Sequence, residues 1–259
     1  MKDRLFAFKA NQQSALFGQA CFAPGESKCT YGTGAFLLMN TGSKPIFSKN
    51  GLVTTIGWGL NGQVTYALEG SIFVAGAAIQ WLRDNLGVIE KASDSQALAE
   101  SVPSSDGVYF VSTFQGLGAP WWENGRRASI HGMTRKTTAA HIVRAALESV
   151  AYRVTDVVGA MEREMGLPCK SLRVDGGMSA NDFLMQFQSD ILQIPVSKTA
   201  NPEVTALGTA FMAGLVMGIW PDQQALQAMV TESRRLYPQM KPEDASALYQ
   251  GWLETIGQA

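Results

Sequence analysis

The fold is narrowed first by a change of hydrophobic period at Phe73. Residues 28–72 are rich in glycine, threonine and β-branched side chains, with Asn61-Gly62 between two such runs. A two-residue hairpin turn needs positive φ at both positions, which Asn and Gly accept, so this stretch is predicted to form several antiparallel strands. From Phe73 the apolar positions Phe73, Val74, Ala77, Ala78, Trp81, Leu82 and Leu86 recur at helical spacing, and Gly87 supplies a stop.

The rest of the chain alternates between the two periods. Short strands are predicted at residues 108–112 and 128–134, with a loop at 116–122 between them. Thr137 or Thr138 can cap a long helix that runs to about Gly166. Its Ile142, Val143, Ala146, Leu147, Val150, Val154, Val157, Val158 and Met161 make a core stripe, while Arg144, Glu148, Arg153, Asp156 and Glu162 read as a solvated face. A strand at 171–175 then enters a glycine turn, and a helix from near Ser179 carries Phe183, Leu184, Phe187, Ile191 and Leu192 inward. A strand at 194–198, a helix from Val204 and two more near 222–235 and 243–256 complete an α/β chain. No repeat, low-complexity tract or linker breaks it, so residues 1–259 are expected to form one domain.

Composition removes several functions. Lys plus Arg is 21 against 22 for Asp plus Glu, a net charge of -1, so the basic footprint of a nucleic-acid-binding protein is absent. Cys21, Cys29 and Cys169 have no CxxC spacing and the only histidines are His131 and His141, so no metal ligands are assigned and a reducing, cytoplasmic setting is expected. Residues 1–9 lack the apolar core of a signal peptide. The uncharged stretch 206–220 falls short of the roughly 20 residues that span a bilayer and is predicted to be a buried helix.

Four constellations are candidates for chemistry. Thr30-Tyr31-Gly32-Thr33-Gly34 lies at a strand junction, where two glycines permit a sharp turn and Thr33 offers a hydroxyl and an N–H to an anionic oxygen; taken alone, the run is explained more simply as an ordinary hairpin with glycines for geometry. Asp175-Gly176-Gly177 leads to a helix start whose free N–H groups favour anions, and Asn181, expected in the first turn, adds an amide; Ser179 as a plain cap is the alternative. Gly76 and Gln80 share a helix face that can accept a flat base or a ribose, or simply allow close packing. Asn11-Gln12-Gln13 precedes a short helix that Asn11 can cap.

Taken in order with Gly116-Leu117-Gly118-Ala119-Pro120-Trp121, Gln188-Ser189-Asp190 and Val204-Thr205-Ala206-Leu207-Gly208, these runs closely resemble the C-terminal half of the FGGY carbohydrate kinases, the bacterial glycerol kinases in particular. The resemblance implies a ribonuclease H-like, actin-like ATPase fold with a mixed sheet flanked by helices. It further implies a second, N-terminal domain, with ATP and Mg²⁺ held between the two and phosphoryl transfer to glycerol. By the same resemblance Thr33 lies at the nucleotide phosphates, Gly76 and Gln80 contact the nucleotide, Gly177 and Asn181 surround the adenosine, and Gln12 contacts the polyol. Asn11 stands where the family carries an aspartate that accepts the proton of the attacked hydroxyl. An amide is not a base at neutral pH, and loss of a general base costs about 10²- to 10⁴-fold in rate. The isolated chain is therefore expected to be inactive or very weak. Residues 1–10 depart from the family's usual approach to that position. The alternatives are a non-catalytic module binding nucleotide or a partner, and half of a kinase for another polyol or sugar. Self-association is expected through the apolar face that a missing domain would cover.

Overall fold

A computed structural model of the chain describes residues 10–258. The readings made above for residues 1–9 lie outside the described part. Four antiparallel strands come early: β1 (Ser27–Tyr31), β2 (Ala35–Gly42), β3 (Val53–Leu60) and β4 (Gln63–Ile72). Asn61 and Gly62 turn β3 into β4 with φ of 53° and 75°, as the hairpin reading requires. Later strands β7 (Leu172–Asp175), β8 (Val196–Thr199) and β9 (Glu232–Leu236) extend the same sheet in the order β3-β4-β2-β1-β7-β8-β9. β1 and β7 run parallel with Thr30 opposite Asp175, which brings the glycine turns that follow the two strands to one end of the sheet. β5 (Tyr109–Val111) and β6 (Ser129–His131) form a separate ribbon.

Period-2 alternation assigns the two faces of the sheet. Cys29, Tyr31, Leu37, Met39, Leu172 and Val174 point into the larger core, against α4 (Ala139–Met165) and α5 (Asp182–Leu192). Leu38 points the other way, into a smaller core with Leu16 and Phe17 of α1 (Ala10–Gly18) and Phe211, Met212 and Leu215 of α6 (Val204–Met217). α1 and α6 meet backbone to backbone. A β-carbon on Gly208 would overlap the Ser14 carbonyl, and one on Gly18 the Val204 carbonyl. α4 is bounded as predicted: Thr138 and His141 form a reciprocal cap, and Gly166 closes the helix at φ 63°.

Several expectations are corrected. The helix expected from Phe73 is α2 (Gly76–Asp84) and starts three residues later, because the N–H groups of Ala75 and Gly76 bond the carbonyls of Thr33 and Gly32 instead. Phe73 and Leu86 are accordingly exposed, and Ile79 joins Ala78 and Leu82 inside. Glu148, Arg153 and Asp156 are buried at 3%, 3% and 2% exposure, not solvated. α4 is covered on that side too, and the charges are paired. Arg153 lies 2.5 Å from Asp156 and donates to the Ala119 carbonyl, while Asp156 accepts from Trp121, Tyr249 and Trp252. The helix expected near 222–235 is only α7 (Gln223–Gln227); Glu232–Leu236 is an edge strand whose exposed, charged sequence carries no alternation. α8 (Pro242–Thr255) follows. α6 is buried on one face only, with Ala206, Ala210, Ala213 and Met217 outward. Asn11 is the second residue of α1 and so does not cap it. Among the described residues no helix is long and apolar enough to cross a membrane.

Candidate functional site

The turn between β1 and β2 is built from its glycines. Gly32 N–H bonds the Gly34 carbonyl at 2.8 Å, and a β-carbon on Gly34 would overlap the Ile72 carbonyl. The carbonyls of this turn in turn accept the first N–H groups of α2: Gly76 to Gly32 at 2.9 Å, and Ala75 and Ala77 to Thr33 at 2.8 and 3.0 Å. The helix start is thus capped by the turn. Gly76 serves close packing, since its β-carbon would come to 2.7 Å from the Gly32 oxygen.

The second turn leaves β7 through Gly176, at φ 88°, pressed on the Tyr31 backbone where no side chain fits. Gly177 differs. No atom lies within 4 Å of where its β-carbon would be. A 3-10 turn (Gly177–Ala180) follows, and α5 begins at Asp182, not near Ser179. Ser179 bonds the Gly176 carbonyl, and Asn181 is the N-cap, its Oδ1 accepting from Leu184 N–H at 2.9 Å.

These turns and helix starts enclose a groove of about 420 Å³. Thr33, Gly76, Gln80, Gly177 and Asn181 all line it, so five positions spread over nearly 150 residues of sequence meet in one place. Among the described residues its walls hold Ile79, Met178, Ala92 and Ala180 beside a few neutral polar groups, and no charged side chain. Such a slot suits a flat heteroaromatic ring bearing hydroxyls, with an anionic tail toward the β1–β2 turn.

Sequence reasoning missed the outer wall, α3 (Asp94–Glu100). Ser95 Oγ accepts from Asn181 Nδ2 at 3.3 Å, and Gln96 Oε1 accepts from Asp182 N–H at 2.9 Å, so α3 clamps the start of α5. α3 is itself held by Arg144, which donates to the Ala99 carbonyl at 3.3 Å and, just past the helix, to the Val102 carbonyl at 2.6 Å, pairs with Glu148 at 2.8 Å and lies 4.9 Å over the Phe183 ring. Burial pushes the Glu148 carboxyl above its ordinary range, against the opposing pull of Arg144. The seven-residue α3 carries no amphipathic stripe in the sequence, and only a hydrogen-bond partner three strands away reveals its place.

Asn11 and Gln12 do not line the groove. They sit on α1, Asn11 exposed and Gln12 half-buried. Gln12 Oε1 accepts a hydrogen bond from Lys28 Nζ, and Lys28 is fully buried. Burial lowers the Lys28 pKa, and the nearby Asp175 carboxylate opposes that shift. Asp175 accepts from Gln19 Nε2 at 2.9 Å.

The fold, a mixed sheet with paired glycine turns at one end of two parallel strands and helices on both faces, is that of an actin-like ATPase domain. The model of the C-terminal domain of the FGGY family of carbohydrate kinases matches residues 27–217, and the chain belongs to that family. It is 55% identical over 249 residues to a glycerol kinase of Carboxydothermus hydrogenoformans, and 54% identical over 249 residues to glycerol kinase 2 of Thermotoga maritima. Each alignment covers 96% of this chain and 50% of the relative. The chain therefore spans about half the length of the curated relatives it matches. Among solved structures, the glycerol kinase of Plasmodium falciparum with ADP superposes at a TM-score of 0.92 and 40% identity, covering 96% of this chain and 50% of that one. A xylulose kinase of Lactobacillus acidophilus shares the fold at a TM-score of 0.81 and 18% identity.

Proposed function

We propose that this chain supplies the nucleotide-binding half of an ATP-dependent glycerol kinase. The observation that carries the reading is the convergence of Thr33, Gly76, Gln80, Gly177 and Asn181 on one uncharged groove. It is supported by the identity to glycerol kinases and by the likeness to a solved one described with ADP. In this reading the adenine lies over the backbone at Gly177, between Met178 and Ile79, with the Asn181 amide at its edge. Gln80 faces the sugar, and Thr33 offers its hydroxyl to the phosphates at the β1–β2 turn. This chain orients the nucleotide and excludes water from one side of it; positioning and charge neutralisation dominate phosphoryl transfer.

Among the described residues no group of three or more His, Cys, Asp or Glu side chains is placed to hold a metal ion. Mg²⁺ fits the reading only as a companion of the nucleotide phosphates, where it would spread their charge. Asn11 and Gln12 border the acceptor, with Gln12 bonding a hydroxyl of glycerol. Asn11 cannot take up the proton of the attacked hydroxyl, so turnover is weak even when an N-terminal half is supplied. The partners in this reading are that half, in the same or another chain, and a second copy of the chain; the setting is the cytoplasm.

The test joins this chain to the N-terminal half of the Carboxydothermus hydrogenoformans glycerol kinase and measures ATP-dependent phosphorylation of glycerol. Asn11→Asp is expected to raise the rate by about 10²- to 10⁴-fold, and Thr33→Val to lower it. The exposed amide at position 11 favours one competing reading, a non-catalytic nucleotide-binding module. Continued inactivity of the Asn11→Asp chain with nucleotide binding intact would establish that module instead.

A further inference from the structure

The buried Lys28 is used by nothing in the nucleotide groove. It is fully enclosed on the face of β1 that meets α1, and among the described residues its ammonium donates to three acceptors: Gln12 Oε1, Thr30 Oγ1 at 2.8 Å and the Phe36 carbonyl at 3.4 Å. A lysine ammonium carries three N–H donors and no lone pair, so each atom it meets must accept. Three protons face three acceptors, and the set is complete.

This has a chemical consequence for Gln12. An amide side chain can ordinarily turn either its oxygen or its NH₂ toward a neighbour. Beside a donor-only ammonium it has one choice, with the oxygen inward. Among the described residues the Gln12 side chain has no other hydrogen-bond partner. Among the described residues nothing takes its two N–H donors, which face whatever binds beside α1.

We propose that Lys28 is a positioning residue for the acceptor substrate, locking the Gln12 amide so that Gln12 can only donate to a hydroxyl oxygen of the polyol. The inference rests on the reading of Gln12 as a polyol contact. A hydroxyl held in this way accepts from Gln12 and keeps its own proton for another acceptor. A protonated amine at the same position has no lone pair to offer and meets two opposed sets of donors, so the lock selects hydroxyl over ammonium.

The test measures the equilibrium affinity for glycerol, and separately for ADP, of the two-domain chain described above. Gln12→Ala is expected to weaken glycerol about tenfold, the upper range for one neutral hydrogen bond. Gln12→Glu keeps an acceptor for Lys28 but has no N–H, and is expected to lose as much as Gln12→Ala. Lys28→Met is expected to weaken glycerol with ADP affinity unchanged, and to add nothing in the Gln12→Ala background. If Gln12→Glu binds glycerol like the parent, or if the effects of Lys28→Met and Gln12→Ala simply add, the lock is overturned while the polyol contact stands. If the parent does not bind glycerol, or Gln12→Ala binds as the parent does, the polyol contact itself is wrong and the lock falls with it. Gln12→Glu leaves the Lys28 site paired, so the donor claim is tested even where Lys28→Met fails to fold.

Discussion

Asn181 caps α5 with its carbonyl oxygen and turns its NH₂ to Ser95 at the rim of the groove. The two roles can be separated. Asn181→Ala loses the cap and should cost about 1 kcal/mol of stability, whereas Asn181→Asp retains an acceptor for the Leu184 N–H and should unfold within about 0.5 kcal/mol of the parent in urea. Both should bind ADP more weakly, because neither has the N–H donor. Equal ADP affinity in Asn181→Asp would remove the side chain from the site. Inside α4, Arg153→Met leaves the Asp156 carboxylate buried without its guanidinium, and urea unfolding should register a loss of about 3–5 kcal/mol. At this scale the sequence was informative where glycine constrains the backbone, as at Gly34, Gly76 and Gly176, and misleading where charge stood for exposure. Arg153 and Asp156 look like any solvated helix pair until the loop at 118–119 and α8 are known to close over them. Gln188-Ser189-Asp190, a run that helped mark the family, is likewise structural: Gln188 accepts from Tyr31 at 2.8 Å, and Asp190 accepts from Gln239 N–H at 2.6 Å.

Elements are fixed by what their ends bond. The start of α2 was misplaced because its apolar spacing extends back to Phe73, while the N–H groups that decide the boundary are committed to the carbonyls of Gly32 and Thr33. β9 was missed because an edge strand needs no buried face, and only pairing with β8 identifies it. One charged node joins three elements. Asp182 at the start of α5 is held below the ordinary aspartate range, first by Lys198 of β8 at 2.7 Å and then by Arg234 of β9 at 2.6 Å. With the folded value depressed, this contribution to stability is present above the unfolded pKa of about 3.9 and is lost as pH falls through the folded value. Asp182→Asn should therefore flatten the acid limb of stability against pH below about pH 4, measured by urea unfolding across pH 2–5. An unchanged acid limb would place the effect elsewhere. The contact between α1 and α6 is tighter still. Gly208→Ala has no room beside the Ser14 carbonyl, and should destabilise by about 1–3 kcal/mol while shifting the helix that carries Gln12.

On the scale of the whole molecule, the β3–β4 hairpin, the long α4 and the two glycine turns follow from patterns visible in the sequence, whereas the order of the sheet does not. The convergence of those turns follows from the parallel pairing of β1 with β7, which no local pattern contains. The groove is therefore assembled by topology from segments that are each ambiguous alone, and α3 closes it through side chains with no sequence signature. What the groove holds is the central claim, and Gly177 offers the cleanest probe of it. Its β-carbon position is open, so Gly177→Val should fold like the parent while its side chain occupies groove volume. The decisive measurement is a calorimetric titration of the parent chain and of Gly177→Val with ADP and Mg²⁺. The account predicts binding at one site per parent chain, weakened at least about tenfold, or roughly 1.4 kcal/mol, in the variant. No binding by the parent, or equal binding by both, would contradict it.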